Sequence, residues 1–438
     1  FLPGSIHVKN AFRNYRGIMK KKFSQFGSRF LGESGTKLLM DDLAQVAGSN
    51  AFINLGGGNP ARVPKMESVF GNAMHEILAG RQFEDIVGCY DSPQGNESFL
   101  EIVCEFFSRN FSWDLTTENV AITTGSQSSF FMLFNLFGGM CVDGLERVIQ
   151  LPLTPEYIGY GDLLINPDCL VSDRAKIREI GSNFFKYEVD FDLFHIRSNA
   201  GAVCFSRPTN PTGNVLSDEE VNQLVTLTGE AETPLIIDNA YGSPFPNIVS
   251  DEIKMPKASH VIHCFSLSKL GLAGLRTGIV VAQPETITAI KSINAATCLS
   301  INGIGAALIA KLMVSNEIIG LCNEVIRPFY AEKSRLAIEI FHKYLSGIDY
   351  RIHVSEGAFF LWLWFPGLAI SDQVLYKRIK ERGVLIIPGS FFFHEDNCSW
   401  EHSKECIRVS FAQSDEALET GIKIVSEEVK RCIKSIRT

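Results

Sequence analysis

The sequence of 438 residues contains no uninterrupted apolar run that approaches the ~20 residues needed to span a bilayer. Its longest candidate, residues 359–365, is bounded by Gly357 and Pro366, which favours a buried strand over a membrane helix. An excess of positive charge is also lacking, because the net charge is -8 with both signs mixed. The sequence therefore predicts a soluble protein without a nucleic-acid-binding face.

Three further absences limit the classes of protein to which the chain can belong. The 11 cysteines lack the dense spacing of a small secreted scaffold, so we expect reduced thiols, no disulfides and a cytoplasmic location. No internal repeat or low-complexity tract is visible. The glycines at 56–58 lack the G-x-G-x-x-G spacing before a helix, which argues against a dinucleotide site.

The chain is long enough for more than one domain. Its first residue is Phe1 and its first methionine is Met19, so we interpret residues 1–18 as an N-terminal extension outside the native fold, with a targeting peptide as the alternative. We predict a large domain at 61–330 and a small C-terminal domain at 331–438. The segment 19–60 is expected to pack with the small domain.

Short apolar runs bounded by Gly, Pro or polar residues predict buried strands. These runs are 147–153, 202–206, 234–237, 261–265 and 277–282. Helical patterns lie between them, and one opens with a capping box formed by Ser217 and Glu220. The alternation predicts an α/β fold whose mainly parallel sheet is covered by helices, with functional loops at the carboxyl ends of the strands. A long connecting helix is expected over 300–344, and a last helix over 415–436.

The segment 266–278, S-L-S-K-L-G-L-A-G-L-R-T-G, combines hydroxyls, one lysine and one arginine with glycines. Ser266 and Ser268 can donate to phosphate oxygens, and the planar guanidinium of Arg276 can form two charge-assisted hydrogen bonds with the same group. A lysine with a lowered pKa can act as a general base or as a Schiff-base nucleophile. A solvated surface charge is the alternative for Lys269 alone, but its neighbours favour an aldehyde cofactor that carries a phosphate.

Asp238 ends a predicted strand, where a carboxylate is costly unless it has a partner. A pyridinium nitrogen would be such a partner, and Asp238 would keep that nitrogen protonated. Tyr241 could then form a hydrogen bond with the phenolic oxygen of the same ring. The alternative is a helix cap for Asp238 and a core position for Tyr241.

Two turns could complete such a site. The run S-R-P-T-N-P-T-G-N at 206–214 could hold Asn210 rigidly against the phenolic oxygen, although a structural turn explains its prolines equally well. The run T-T-G-S-Q-S-S at 123–129 opens a predicted helix whose free N–H groups suit a phosphate. Many helices begin in this way, so the second run is weak evidence by itself.

Tyr157 and Arg408 are the remaining candidates. Tyr157 could stack on a planar ring, and core packing is its alternative. Arg408 lies in a strand-like run, where a buried guanidinium needs the carboxylate of either a substrate or an internal Asp or Glu.

Four possible metal ligands recur every four positions and would share one face of a helix: His394, Cys398, His402 and Cys406. Their segment does not look helical, so we expect no metal site there.

These motifs occur in the order seen in fold type I enzymes that depend on pyridoxal phosphate (PLP), and the chain from about Met19 resembles the class I and II aminotransferases. The runs L-G-G-G-N-P-A, Y-D-S-P-Q-G, P-E-Y-I-G-Y, I-D-N-A-Y-G-S-P-F-P and F-L-W-L-W-F belong to this resemblance. It implies a large domain with a mainly parallel sheet covered by helices, a smaller α/β domain, and pyridoxal 5′-phosphate as the cofactor.

The resemblance implies a role for each candidate residue. Lys269 would form the Schiff base and move a proton between the substrate and the cofactor, and Asp238 would pair with the pyridine nitrogen. The other cofactor contacts would be Asn210 and Tyr241 at the phenolic oxygen, Tyr157 on the ring, and Ser126, Gln127, Ser266, Ser268 and Arg276 at the phosphate. Tyr90 would reach the phosphate from a neighbouring subunit. The substrate would meet Gly58, Asn210 and Arg408.

The implied reaction is a ping-pong amino transfer between L-valine, or alanine, and pyruvate or 3-methyl-2-oxobutanoate. A homodimer follows if Tyr90 crosses to the partner's site. Another transaminase of small neutral amino acids, a β-lyase or a decarboxylase would keep Lys269 and Asp238, so these alternatives stay open. A PLP-binding regulator would need a DNA-binding domain, for which residues 1–18 are too short.

Overall fold

The structure is a computed structural model that describes residues 23–31, 37, 40, 52–394 and 400–434. The predicted extension at 1–18 and Cys398 lie outside the described residues. Within these ranges the cysteines are free thiols. In the same part of the chain, no single helix has both the length and the apolarity to cross a membrane, although the bent pair Ile304–Val314 and Glu317–Leu345 meets the two criteria together.

The strands follow one another along the chain with helices interspersed. In chain order they are β1 (Ile53–Asn54), β2 (Val120–Thr123), β3 (Gly139–Met140), β4 (Glu146–Leu151), β5 (Leu170–Ser172), β6 (Lys176–Ile180), β7 (Phe184–Glu188), β8 (Ala200–Ser206), β9 (Leu235–Asp238), β10 (Val261–Ser266), β11 (Gly278–Val281), β12 (Arg351–His353), β13 (Phe360–Trp364), β14 (Val384–Leu385), β15 (Ile387–Pro388) and β16 (Cys406–Ser410).

The described helices cover the sheets. They are α1 (Gln25–Arg29), α2 (Pro64–Ala79), α3 (Gln82–Gly88), α4 (Glu97–Phe111), α5 (Ser126–Phe137), α6 (Asp218–Glu230), α7 (Pro284–Thr297), α8 (Ile304–Val314), α9 (Glu317–Leu321), α10 (Arg327–Leu345), α11 (Asp372–Glu381) and α12 (Asp415–Lys434).

The larger sheet has the strand order β2-β11-β10-β9-β8-β4-β3, and β5 pairs with β4. Strands β10, β9, β8 and β4 are parallel, and β11 is antiparallel to both of its neighbours. Successive residues of β9 face opposite sides, because Ile236 packs with α5 and α7 while Leu235 and Ile237 pack with α6. The predicted mainly parallel sheet with helices on both faces is confirmed.

The predicted strands of this sheet are present, with ends that shift by one or two residues. The capping box at the start of α6 is also confirmed, because the Ser217 hydroxyl accepts the N–H of Glu220 at 3.1 Å and the Glu220 carboxylate accepts the N–H of Ser217 at 2.8 Å. This cap fixes the start of α6 on the stretch that leads from β8 to β9.

The second sheet has six strands in the order β15-β16-β13-β12-β7-β6. Its centre is the predicted strand of 359–365, seen as β13 between β16 and β12. The hairpin β6–β7 belongs to the predicted large-domain range 61–330, yet β7 pairs with β12 in this sheet. The exact limits of the two domains therefore stay a prediction.

The prediction of a single long helix over 300–344 is wrong. The axes of α8 and of the helix from Glu317 to Leu345 differ in direction by 95°. The break lies at Asn316, which has a φ of 64° in the left-handed region. A π-helical turn, Cys322–Ile326, then joins α9 to α10. Apolar periodicity predicted the helical content, but it could not locate the change of direction.

The N-terminal segment contacts two parts of the molecule. Strand β1 pairs in parallel with β14, which precedes the second sheet's edge strand β15. Arg29 donates to the carbonyl oxygens of Asp162 and Leu164, which follow β4 of the larger sheet. The first contact is made with the C-terminal part of the chain and the second with a turn of the larger sheet, so the packing of 19–60 with the small domain stays a prediction.

Candidate functional site

The carboxyl ends of the parallel strands of the larger sheet meet at one edge, where they border a cavity of about 330 Å³. The register aligns the ends of neighbouring strands, since Asp238 lies opposite Ser206 on one side and Cys264 on the other. Ser266 lies opposite Gly278, the first residue of β11. Side chains that follow these ends therefore converge on one space.

Every predicted cofactor contact except Tyr90 lines this cavity. Its walls are formed by Met40, Ser126, Gln127, Phe130, Tyr157, Ser206, Asn210, Asp238, Ala240, Tyr241, Ser266, Ser268, Lys269 and Arg276. The structure thus brings together residues from five separate motifs. Met40, Phe130, Ser206 and Ala240 were not predicted as site residues, because apolar or small side chains carry no chemical signal in the sequence.

Lys269 lies in the turn that directly follows β10, and its Nζ donates to the carbonyl oxygen of Gly58 at 2.7 Å. Burial lowers the pKa of Lys269 to about 8. The positive charges of Arg408 and Arg276 act in the same direction, whereas Asp238 opposes them. A lysine with this pKa is in part neutral near neutral pH, so it can act as a nucleophile or as a base.

Asp238 is buried at the end of β9, where its Oδ1 accepts the N–H of Ala240 at 2.8 Å and its Oδ2 accepts the hydroxyl of Tyr160 at 2.9 Å. Burial raises the pKa of Asp238 to about 6, while both hydrogen bonds and the charge of Lys269 oppose that rise. Residues 239–260 contain no helix, so the helix-cap alternative fails. An ionised Asp238 can instead stabilise a cation in the cavity.

One end of the cavity is an anion cradle. Helix α5 begins at Ser126, whose N–H is among the first of the helix and lacks an intrahelical acceptor. Arg276 lies close by, because a Cβ on Gly125 would stand 2.3 Å from its Nη2. The Nη1 of Arg276 donates to the Ser268 hydroxyl at 3.1 Å, and the Ser268 N–H donates to the Ser266 hydroxyl oxygen at 3.2 Å. These donors fit a phosphate group.

Arg408 is buried on β16 without a carboxylate partner. Its Nη1 donates to Asn210 Oδ1 at 2.7 Å, its Nη2 donates to the carbonyl oxygen of Gly56 at 2.7 Å, and its Nε is buried without an acceptor. Within the described residues, no Asp or Glu oxygen lies within 4.0 Å of the guanidinium. Burial lowers the pKa of Arg408 to about 10, so it is charged at neutral pH. This geometry favours an external carboxylate over an internal one.

The surroundings of three further predicted residues, Tyr241, Gly58 and Tyr90, differ from one another. Tyr241 is buried against the ring of Phe359, with centroids 5.2 Å apart, and the Lys269 Nζ lies 5.3 Å from the Tyr241 centroid. A Cβ on Gly58 would meet no atom within 4 Å, so this turn leaves open space beside Lys269. Tyr90 is 84% exposed and does not line the cavity of its own chain.

Sequence reasoning missed two polar residues that lie behind the cavity wall. Tyr160 binds Asp238, and Glu156 is a fully buried carboxylate that accepts hydrogen bonds from Ser206 and Tyr157. Both belong to the quoted run P-E-Y-I-G-Y, in which only Tyr157 received a role. The sequence did contain a signal for Glu156, because an acid in an otherwise apolar turn is costly to bury and therefore needs partners.

In the described part of the chain, no cluster of His, Cys, Asp and Glu has metal-binding geometry.

The hydrogen bond from Tyr160 to Asp238 gives a testable prediction. Because this bond stabilises the ionised carboxylate, Tyr160→Phe should raise the pKa of Asp238 above its value of about 6, by on the order of one pH unit. The measurement is an infrared titration of the carboxyl band in the protein without added ligand, with Asp238→Asn to assign the band.

Tyr187→Phe is the matched control for this titration. Tyr187 is equally buried, but its hydroxyl is bonded to His402 and Trp362 instead of Asp238. The control should leave the Asp238 band where it is. An unchanged pKa of Asp238 in Tyr160→Phe would show that the hydroxyl does not stabilise the carboxylate.

Known proteins resemble this chain over most of its length. A family model for aminotransferase class I and II matches residues 176–425. The valine–pyruvate aminotransferase of Escherichia coli (strain K12) is 42% identical over 409 residues, which are 93% of this chain and 98% of the relative.

Two solved structures extend this likeness to the fold. A protein from Psychrobacter arcticum 273-4, provisionally described as an amino-acid aminotransferase, has a TM-score of 0.91 at 40% identity, with 94% of this chain and 99% of that chain covered. The valine–pyruvate aminotransferase of Salmonella typhimurium LT2 has a TM-score of 0.84 at 41% identity, with 91% and 99% covered. The predicted fold type and family are confirmed, and this chain belongs to the class I and II aminotransferases.

Proposed function

We propose that this chain is a PLP-dependent transaminase that moves an amino group between L-valine, or L-alanine, and pyruvate or 3-methyl-2-oxobutanoate. The observation that carries the proposal is the buried amine of Lys269, with its lowered pKa, in the same cavity as Asp238 and the anion cradle of Arg276. The substrate pair is supported by the names of two relatives that are 42% and 41% identical to this chain.

The donors and acceptors of the cavity fit each polar group of PLP. We assign Ser126, Gln127, Ser266, Ser268 and Arg276 to the phosphate, Asn210 and Tyr241 to the phenolic oxygen, Asp238 to the ring nitrogen, and Tyr157 to the face of the ring. Asn210 suits its role because Arg408 occupies its Oδ1, while its amide nitrogen has no acceptor among the described residues. That nitrogen is therefore available to donate to the phenolic oxygen.

When bound, PLP supplies an aldehyde carbon that takes up amines covalently and a ring that accepts electrons. The neutral amine of Lys269 takes the proton from the α carbon of the substrate, which its pKa of about 8 allows near neutral pH. The carboxylate of Asp238 holds a proton on the ring nitrogen. Arg276 compensates the charge of the phosphate, and Tyr157 shields one face of the ring from water.

The turn at 56–58 links substrate binding to the catalytic lysine. Arg408 donates to the carbonyl oxygen of Gly56, and Lys269 donates to that of Gly58. A carboxylate bound at Arg408 would lie against the same turn as the Lys269 amine, which supports a substrate site between the two residues. A Cβ on Gly58 would meet no atom within 4 Å, so the turn leaves space there for part of a substrate.

The first test is the visible absorption spectrum of the purified protein with PLP. We expect a band that depends on Lys269, that L-valine converts to the pyridoxamine form, and that pyruvate restores. Lys269→Ala should bind PLP non-covalently and show no such conversion, because its side chain can neither bond to the cofactor nor move the proton.

Each other result of this experiment has a definite meaning. A band that forms but does not respond to valine or alanine, even after long incubation, contradicts the substrate pair and leaves the cofactor assignment in place. Release of pyruvate and ammonia from a β-substituted amino acid such as L-cysteine, without formation of the pyridoxamine form, would favour a lyase, and release of CO₂ from L-valine would favour a decarboxylase. The absence of any lysine-dependent band contradicts the proposal as a whole.

We also propose that the enzyme is a homodimer in which Tyr90 donates to the phosphate bound by the partner subunit. The support is the 84% exposure of Tyr90 and the lack of any buried residue in the adjacent helix α3, which together leave an uncovered apolar surface. We further propose a cytosolic location, on the ground that Cys89 and Cys298 are exposed free thiols.

The dimer proposal predicts that Tyr90→Phe weakens PLP binding by roughly tenfold while the assembly stays intact. Sedimentation should give a dimer for both proteins, and fluorescence titration should show the difference in affinity. Phe83→Tyr on the exposed face of α3 serves as a control for surface perturbation. A fully active monomer would contradict the cross-subunit role of Tyr90.

A further inference from the structure

Glu156 has a fully buried carboxyl group that the mechanism above does not use, and burial raises the pKa of this group to about 8, so its protonated form dominates at pH 7. Its Oε1 accepts the N–H of Ser206 at 2.8 Å, and its Oε2 accepts the N–H of Tyr157 at 2.9 Å. The Ser206 hydroxyl lies 3.0 Å from Oε1 and 2.7 Å from Oε2, so it donates to one of them. Among the described residues, no Lys, Arg or His nitrogen lies within 4.0 Å of this carboxyl group.

The residues that Glu156 joins both line the proposed cofactor cavity. Tyr157 supplies the aromatic face, and Ser206 is the last residue of β8. Ser206 lies opposite Asp238 in the sheet and precedes the turn that carries Asn210. The carboxyl group therefore fixes the position of the stacking ring relative to the strand ends that hold the polar contacts.

The turn that carries Glu156 is also held from the C-terminal part of the chain. The N–H of Glu156 donates to the carbonyl oxygen of Phe392 at 3.0 Å. The His394 Nε2 lies 3.1 Å from the carbonyl oxygen of Tyr157, and burial lowers the pKa of His394 to about 4, so this ring is neutral at pH 7. The turn at 156–157 is therefore fixed on one side by hydrogen bonds to Phe392 and His394. The Glu156 side chain fixes the other side, so a small change in this side chain moves Tyr157 relative to β8.

A carboxyl group suits this position for a specific physical reason. Donors from two chain segments converge on its two oxygens, and only a side chain that accepts at both atoms satisfies all of them. An amide would place an NH₂ group against one of the backbone N–H groups. A protonated carboxyl group, the form that burial favours here, keeps an acceptor lone pair on each oxygen, so it can accept from both segments without the cost of a buried charge.

We propose that Glu156 is a positioning residue that sets the width of the slot between Tyr157 and the end of β8, into which the cofactor ring fits. This inference rests on the proposed function, because it concerns the binding of PLP to the same cavity. In this proposal Glu156 contributes to the binding of the cofactor ring and takes no part in proton transfer.

The test compares Glu156→Gln with the wild-type protein in two measurements that do not require turnover. PLP affinity is measured by fluorescence titration, and visible circular dichroism reports how rigidly the ring is held. We expect roughly tenfold weaker binding and a smaller dichroic band, because the amide forces Tyr157 and Ser206 apart. Thermal unfolding without PLP establishes that the variant is folded.

Glu220→Gln is the matched control for this substitution. The Glu220 carboxylate also joins two segments, since it accepts the N–H groups of Val189 and Ser217, but it does not line the cavity. This variant should lose a similar amount of thermal stability and keep the PLP affinity and dichroism of the wild type. Equal losses of PLP affinity in both variants would show that Glu156 acts only through stability.

Glu156→Asp separates the reach of the side chain from its acceptor pattern and covers the case in which the amide variant fails to fold. It keeps both acceptor atoms but is shorter by one methylene, so a positioning role predicts weaker PLP binding here too. Wild-type affinity and dichroism in this variant or in Glu156→Gln would overturn the inference. If the wild-type protein itself does not bind PLP, the proposed function fails before this inference is tested.

Discussion

Lys269 lies in the turn after β10, where the positive charges of Arg408 and Arg276 and the negative charge of Asp238 act on its amine. Burial and the arginine charges favour its neutral form, and the aligned ends of β8, β9 and β10 fix what surrounds it. Changing the register by one residue would turn Asp238 to the other face of the sheet. The chemistry of the site therefore depends on the packing that holds this register.

The two sheets contribute different halves of the site. The larger sheet positions Lys269, Asp238 and the anion cradle around the cavity, whereas Arg408, which donates to Asn210 of the cavity wall, comes from β16 of the second sheet. The turn at 56–58 connects the halves, since it accepts hydrogen bonds from both Arg408 and Lys269. Arg408 and Lys269 are thus connected through two carbonyl oxygens of one backbone turn.

The sequence predicted the family, the alternation of strands and helices, and most of the cavity wall, because glycine, proline and charged residues leave local signals. It did not predict the 95° bend at Asn316, since apolar periodicity carries no information about direction. Tyr160 and Glu156 were missed for a related reason, as their partners Asp238 and Ser206 are distant in sequence. The cross-subunit position of Tyr90 stays a prediction, because it concerns a second chain.

The most direct test of the central claim is to locate the bond between the protein and its cofactor. The protein is incubated with PLP, reduced with borohydride, digested with a protease and examined by mass spectrometry. The account predicts one phosphopyridoxyl group per chain, attached to Lys269, and its loss when L-valine is added before reduction. A modification spread over other lysines, or its absence from Lys269, would contradict the account.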